Sequence, residues 1–193
     1  MEITLADKKQ IISNIVLIGM MGTFKTSAGR ILAERLDMHF MDTDAFFEFE
    51  YDMKINECFE EWGEEVFRDL ESKIADRVYY FENTVISTGG GMIERDSSIE
   101  KLKRFGIIVL LTCDYRVIAN RLRTDKTRPK FKGIRRKSKL KKIWAERKEK
   151  YHKYADIVID NTGLNPVETV DKIEEQILKF YQKESSGVVT GNL

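Results

Sequence analysis

The chain has 193 residues, long enough for one domain with a substantial core. Its 33 Lys and Arg against 32 Asp and Glu leave a formal net charge of +1, so bulk charge implies no polyanionic partner. Two cysteines, Cys58 and Cys113, give neither a disulfide framework nor a metal-ligand spacing. No apolar run approaches membrane-spanning length, and Met1 to Gln10 lacks a signal core, so a cytoplasmic protein with no membrane partner is expected.

After a polar lead-in over residues 1–12, Asn14–Ile18 reads as a buried strand. The loop Gly19-Met20-Met21-Gly22-Thr23-Phe24 follows, and Lys25–Leu36 is a helix with Ile31, Leu32 and Leu36 on one face. Strand, glycine loop and a helix opening on Lys25-Thr26 is the layout of a phosphate-binding loop. Loop amides and the helix dipole attract an anion there, lysine reaches the terminal phosphates, and the threonine hydroxyl can ligate magnesium. Phe24 stands where the pattern has glycine, and an ordinary strand–helix turn is the alternative.

His39–Asp42 is a second strand ending in Asp42-Thr43-Asp44. Residues 45–82 are largely helical, broken near Met53-Lys54 and Gly63. Thr84–Ser87 is a third strand, closed by Gly89-Gly90-Gly91. A helix over Ser98–Arg104 and a fourth strand over Ile107–Thr112 follow. Asp114 caps a helix ending at Arg123, and residues 124–143 form a basic run. Ile143–Tyr154 is helical, Asp156–Asp160 is the fifth strand, and Pro166–Tyr181 is the last helix, with Pro166 in its first turn. Residues 1–183 make one domain, and 184–193 form a tail without pattern, expected to be disordered.

Alternating strands and helices imply an α/β fold, with a five-stranded parallel sheet sandwiched between helices. Ligands in such sheets lie at the carboxyl ends of the strands. The glycine loop, the Asp42/Asp44 pair and the triple glycine each end a strand, so the three should meet. Asp42 and Asp44 lie two apart. Beside a phosphate loop, such a pair suggests one carboxylate for magnesium and one for an acceptor hydroxyl; a helix cap plus a solvated acid is the alternative. Phe59, Trp62 and Phe67 read as core or pocket wall. Arg68 interrupts an apolar helical stripe, and a surface arginine paired with Glu64 or Glu71 is its plain alternative. The triple glycine lets backbone amides approach a ligand, or is merely a flexible turn. His39 and His152 read as incidental.

With those residues in view, the chain resembles the shikimate kinases from about Asn14 to Phe180. The family has a glycine loop, Asp-Ser/Thr-Asp, Phe-Arg-x-x-Glu, Gly-Gly-Gly, Arg-Pro in a mobile lid, and Arg-x-x-x-Tyr. Here these are the Gly19 loop, Asp42-Thr43-Asp44, Phe67-Arg68-Asp69-Leu70-Glu71, Gly89-Gly90-Gly91, Arg128-Pro129 and Arg147-Lys148-Glu149-Lys150-Tyr151, in the same order at similar spacings. The resemblance implies a single-domain P-loop kinase fold with a mobile lid near residues 124–137. It also implies ATP-dependent phosphorylation of shikimate to shikimate 3-phosphate in aromatic amino-acid biosynthesis.

Carried over residue by residue, it implies that Lys25 holds the β- and γ-phosphates, that Thr26 ligates Mg2+, and that Asp42 helps through water. Gly22, Thr23, Phe24 and Ser27 complete the nucleotide loop. Asp44 orients the acceptor hydroxyl and takes its proton. Arg68 and Arg147 hold the substrate carboxylate, and Gly89, Gly90 and Gly91 contact the substrate ring through amides. Arg128 stabilises the transferring phosphoryl group. Arg123 and the loop Asn161–Asn165 are candidates for flanking adenine. A monomer with no nucleic-acid partner is expected.

This sequence departs from the family pattern at Phe24, and at Lys130-Phe131, where the family usually has two leucines. Phe24 must strain the loop or turn its side chain out of it, and an elevated ATP KM, relieved in Phe24→Gly, is the expectation. A non-catalytic relative, another P-loop small-molecule kinase and, from the basic run, a nucleic-acid-binding module are the remaining readings.

Overall fold

A computed structural model describes residues 14–78, 80–104, 106–124 and 136–187. The expected α/β architecture holds. Five strands form one all-parallel sheet in the order β2-β3-β1-β4-β5: β1 Asn14–Ile18, β2 His39–Asp42, β3 Thr84–Ser87, β4 Gly106–Thr112 and β5 Ile157–Asp160. Eight α-helices accompany them among the described residues: α1 Lys25–Leu36, α2 Thr43–Tyr51, α3 Ile55–Glu61, α4 Gly63–Val78, α5 Asp96–Lys103, α6 Tyr115–Thr124, α7 Arg136–Tyr154 and α8 Pro166–Gly187.

The apolar runs choose the central strands. All of β1 and nearly all of β4 are buried, as strands covered on both faces must be. Side chains alternate between faces along each strand. Val16, Ile18, Ile108 and Leu110 therefore join one core, under α2 to α7. Ile15, Leu17, Val109 and Leu111 join another, under α1 and α8. Asn14 fixes how β1 and β3 line up: its side-chain amide donates to the Phe81 carbonyl at 2.7 Å and its oxygen accepts from Thr84 N at 3.0 Å.

Two helices run well beyond the limits read from the sequence, while α1, α5 and α6 agree with theirs to within one or two residues. Helix α7 begins at Arg136, seven residues before Ile143, because that turn is basic and only Leu140 reaches the core. Helix α8 continues to Gly187, over the first four positions of the tail expected from Glu184; its polar last turns carry no apolar period. Residues 188–193 and most of the expected lid, 125–135, lie outside the described residues.

Leu32 on α1 is fully buried between the sheet and α8. Leu32→Ala should cost about 2–5 kcal/mol of folding stability. A urea titration should show a lower midpoint at unchanged slope; an unmoved midpoint would contradict this packing.

Candidate active site

The order β2-β3-β1 brings the three strand-end clusters side by side. After β1 the chain turns at once. A Cβ at Gly19 would lie 2.3 Å from the Leu111 carbonyl oxygen, and its φ is +140°, so only glycine fits. Lys25 is 7 % exposed, and its ammonium folds back over the loop, donating to the carbonyls of Gly19 at 2.8 Å and Met20 at 2.9 Å. Helix α1 has no side-chain N-cap, so its first-turn amides keep their capacity for an anion. Thr23, expected at the nucleotide, is buried and spends its hydroxyl on the Met20 carbonyl at 2.8 Å.

Asp42 caps α2, the plain alternative weighed for it, and its other oxygen meets the Thr26 hydroxyl. Its Oδ2 accepts from Thr26 Oγ1 at 2.7 Å, and its Oδ1 caps α2 through the amides of Asp44 and Ala45 at 3.0 and 3.2 Å. Gly22, Phe24, Lys25, Thr26, Ser27, Asp42 and Asp44 line one pocket of about 420 Å3. Asp44 also lines a second pocket, of about 540 Å3, with Arg68, Glu71, Gly89, Gly90, Gly91 and Arg147. The two pockets share Met21, Asp44 and Gly90.

In the second pocket Arg68 is 8 % exposed, not on the surface, and pairs with both acids: Nη1 with Glu71 at 2.7 Å and Nη2 with Glu64 at 3.1 Å. Its Nε is buried without a partner among the described residues. Burial opposes the charge of Arg68, but its acids outweigh this and hold its pKa above the usual value. Burial pushes the Glu71 carboxyl up to about 7, against the pull of Arg68 and with help from the Asp44 charge. Arg147 donates to Glu94 at 2.5 Å and to the Gly90 carbonyl at 3.0 Å. Tyr151, one helical turn along, donates to the same carbonyl at 2.6 Å, and burial raises its pKa.

The triple glycine serves mainly as space. A Cβ on Gly91 would fall 2.1 Å from Arg68 Nη1, and one on Gly89 would fall 2.4 Å from Asp44 Oδ1. The Gly89 amide donates to Thr43 Oγ1 at 2.8 Å, so it is not the ligand donor expected from the sequence. Phe59 and Phe67 wall this pocket, while Trp62 is 44 % exposed and lines neither.

Arg123 is exposed and does not line the nucleotide-side pocket; Arg121, two positions earlier, does. Both are basic residues late in α6, and nothing local in the sequence separates them. Glu71 and Tyr151 lay inside quoted motifs, at helical spacing from Arg68 and Arg147, and that spacing was their available signal. Asn161, in the loop expected near adenine, instead donates to the Thr23 carbonyl at 2.7 Å. Arg128, Pro129, Lys130 and Phe131 lie outside the described residues.

Phe24 combines the two outcomes expected of it. Its φ is +67°, in the left-handed region, where strain of about 1–3 kcal/mol is typical for such a residue. Its ring leaves the loop and packs on the core beside α1 and α8, under the Arg121 guanidinium, whose carbon is 3.7 Å from the ring centroid. Stacking of this kind contributes about 0.5–2 kcal/mol, an offset of similar size.

A sequence model described as shikimate kinase matches residues 21–178. The shikimate kinase of Thermodesulfovibrio yellowstonii is 38 % identical over 174 residues, covering 90 % of this chain and 98 % of that protein. The Bacillus cereus shikimate kinase is also 38 % identical, covering 85 % of this chain and 98 % of the relative. The structure of a shikimate kinase from Acinetobacter baumannii in complex with shikimate superposes with a TM-score of 0.82 at 30 % identity, covering 93 % and 98 % of the two chains. A gluconokinase from Sinorhizobium meliloti, at 17 % identity and a TM-score of 0.53, shares the fold. With the family model, the relatives and the solved structures agreeing over most of its length, this chain belongs to the shikimate kinase family of phosphotransferases.

Proposed function

We propose that the chain transfers the γ-phosphoryl group of ATP to the 3-hydroxyl of shikimate in the pathway to aromatic amino acids. The observation that carries this reading is Asp44, which stands in the wall shared by a phosphate-loop pocket and a pocket holding two arginines. An acceptor held by its carboxylate in the second pocket would present a hydroxyl to Asp44, beside the phosphates in the first.

The residues present suit each ligand. Uncapped α1 amides and the Lys25 ammonium match the phosphates of ATP. Among the described residues no cluster of three or more His, Cys, Asp and Glu is set for a metal. The Thr26 hydroxyl and the Asp42 carboxylate bonded to it would hold Mg2+ together with waters and phosphate. Bound Mg2+ supplies charge neutralisation at the phosphates. Arg68 and Arg147 offer guanidinium forks to the substrate carboxylate, and the unpartnered Nε of Arg68 is a donor awaiting such an acceptor.

Asp44 orients the acceptor hydroxyl and takes its proton as the oxygen–phosphorus bond forms. The β–γ bridging bond breaks, and ADP leaves with its electrons. Lys25 steadies the β- and γ-phosphates. Arg128 stabilises charge on the transferring group, on the strength of the family motif. The reading includes a cytoplasmic monomer, with Cys58 and Cys113 as free thiols. No helix among the described residues is long and apolar enough to cross a membrane.

A coupled ADP-release assay tests the reading. Turnover should require shikimate, and shikimate-independent release at the same rate would overturn it. Asp44→Asn should lower kcat by ~10²–10⁴-fold with ATP binding little changed; near-parental turnover would end the assignment. Arg147→Ala should raise the shikimate KM roughly tenfold to a hundredfold and leave ATP affinity alone, as loss of a charged hydrogen-bond partner requires. The same test at Arg68 needs a folding control, because Arg68→Ala strands the buried Glu71. Unchanged shikimate binding in both variants would show that the substrate class is wrong.

Glu71 adds a pH dependence with a defined sign. Below about pH 7 its carboxyl is protonated and leaves the Arg68 charge to the substrate; above, it ionises and competes. Its folded pKa is raised, so its stabilising contribution is complete below the unfolded value and is lost as pH rises through about 7. The shikimate KM should therefore be lower at about pH 6 than at about pH 8, and Glu71→Gln should remove the inflection. A KM that falls with rising pH, or an inflection that survives Glu71→Gln, would contradict this pairing.

A further inference from the structure

We propose that Phe24 and Arg121 work as one clamp that holds the phosphate loop in its anion-binding shape, which makes Arg121 a positioning residue for the nucleotide. This rests on the reading of that loop as the nucleotide site.

Three consecutive loop residues are gripped from outside the loop. Arg121 Nη1 donates to the Gly22 carbonyl at 3.1 Å. The Thr23 carbonyl accepts from Asn161 Nδ2 at 2.7 Å, and Asn161 is fully buried. Arg121 in turn anchors that loop, donating to Asn161 Oδ1 at 3.3 Å and to the carbonyls of Asn161 and Leu164, each at 3.1 Å. Phe24, the third residue, carries the left-handed backbone at the head of α1 and lies with its ring beneath the same guanidinium. A glycine at this position adopts φ +67° without strain and needs no side-chain support. Phenylalanine adopts it only where its surroundings enforce it. Here they do: core side chains hold the ring, Arg121 covers it, and the arginine's donors are fixed by backbone carbonyls on two loops.

The clamp explains how the chain carries a side chain at the glycine position and keeps the loop formed. The turn ahead of Lys25 and Thr26, which a glycine would hold by its own conformational freedom, depends here on a contact from α6. Strain alone predicts that Phe24→Gly improves nucleotide binding. The clamp predicts a smaller net change, because the same substitution removes the ring that Arg121 holds.

A double-mutant cycle separates these effects. MgADP dissociation constants are measured by calorimetry for the parent, Phe24→Gly, Arg121→Ala and the double variant. Arg121→Ala should weaken MgADP roughly threefold to thirtyfold when Phe24 is present and by less than about twofold in the Phe24→Gly background. The loss should fall on the ATP KM and much less on the shikimate KM. Arg121→Lys should behave like Arg121→Ala, because a single ammonium cannot cover the ring and hold carbonyls on two loops; it also serves if Arg121→Ala fails to fold. Equal weakening in both backgrounds would overturn the clamp and leave Arg121 acting on the nucleotide alone.

Amide hydrogen exchange of the ligand-free proteins tests the clamp apart from the nucleotide reading. Exchange at Gly22 to Lys25 should accelerate in Arg121→Ala, and much less in the Phe24→Gly background. If the parent binds no MgADP but the exchange rates show this coupling, the nucleotide reading fails and the clamp stands. Unchanged exchange on loss of Arg121 would overturn the clamp whatever binds.

Discussion

The site depends on cations that are held against acceptors already in place. Lys25 lies on two loop carbonyls, Arg68 on Glu71 and Glu64, and Arg147 on Glu94 and the Gly90 carbonyl. A buried charge without partners would be expelled or neutralised, so these acceptors are a condition of having the cations there at all. They also preorganise the site. An arriving anion exchanges for fixed internal acceptors, and little reorganisation remains at the moment of reaction.

The same economy of space explains the glycines. Arg68 lies across Gly91, and Asp44 and Glu71 close on Gly89, so a methyl group on either glycine would occupy the volume of a charged group. The triple glycine lets the two arginines and two carboxylates converge at the end of β3. Its remaining polar groups then tie the cluster together, through Thr43 on one side and through Arg147 and Tyr151 on the other.

Much of this was legible in the sequence. The strands announce themselves as apolar runs, and each chemically unusual cluster ends a strand, so a parallel sheet brings the clusters together. What was hidden depends on long-range geometry. Gly89 reads as an amide donor until Thr43 is seen to use its amide. Trp62 is apolar enough for a core, yet α3 ends there and leaves it exposed. Arg121 and Arg123 are indistinguishable until the helix phase of α6 turns one toward Gly22. At Phe24 the sequence posed strain against escape, and the folded chain combines them, because a core face and a guanidinium lie within reach of a ring leaving that loop. The start of α7 was missed because its first turns carry charge and a single core contact.

The account stands on two pockets that share one carboxylate acting as a single transfer site. Phosphorus NMR of the protein with Mg2+, ATP and shikimate measures this most directly. The account predicts a phosphomonoester resonance growing in step with ADP, with little inorganic phosphate, and its loss in Asp44→Asn. Release of inorganic phosphate in place of a phosphomonoester, or ester formation undiminished by Asp44→Asn, would contradict it.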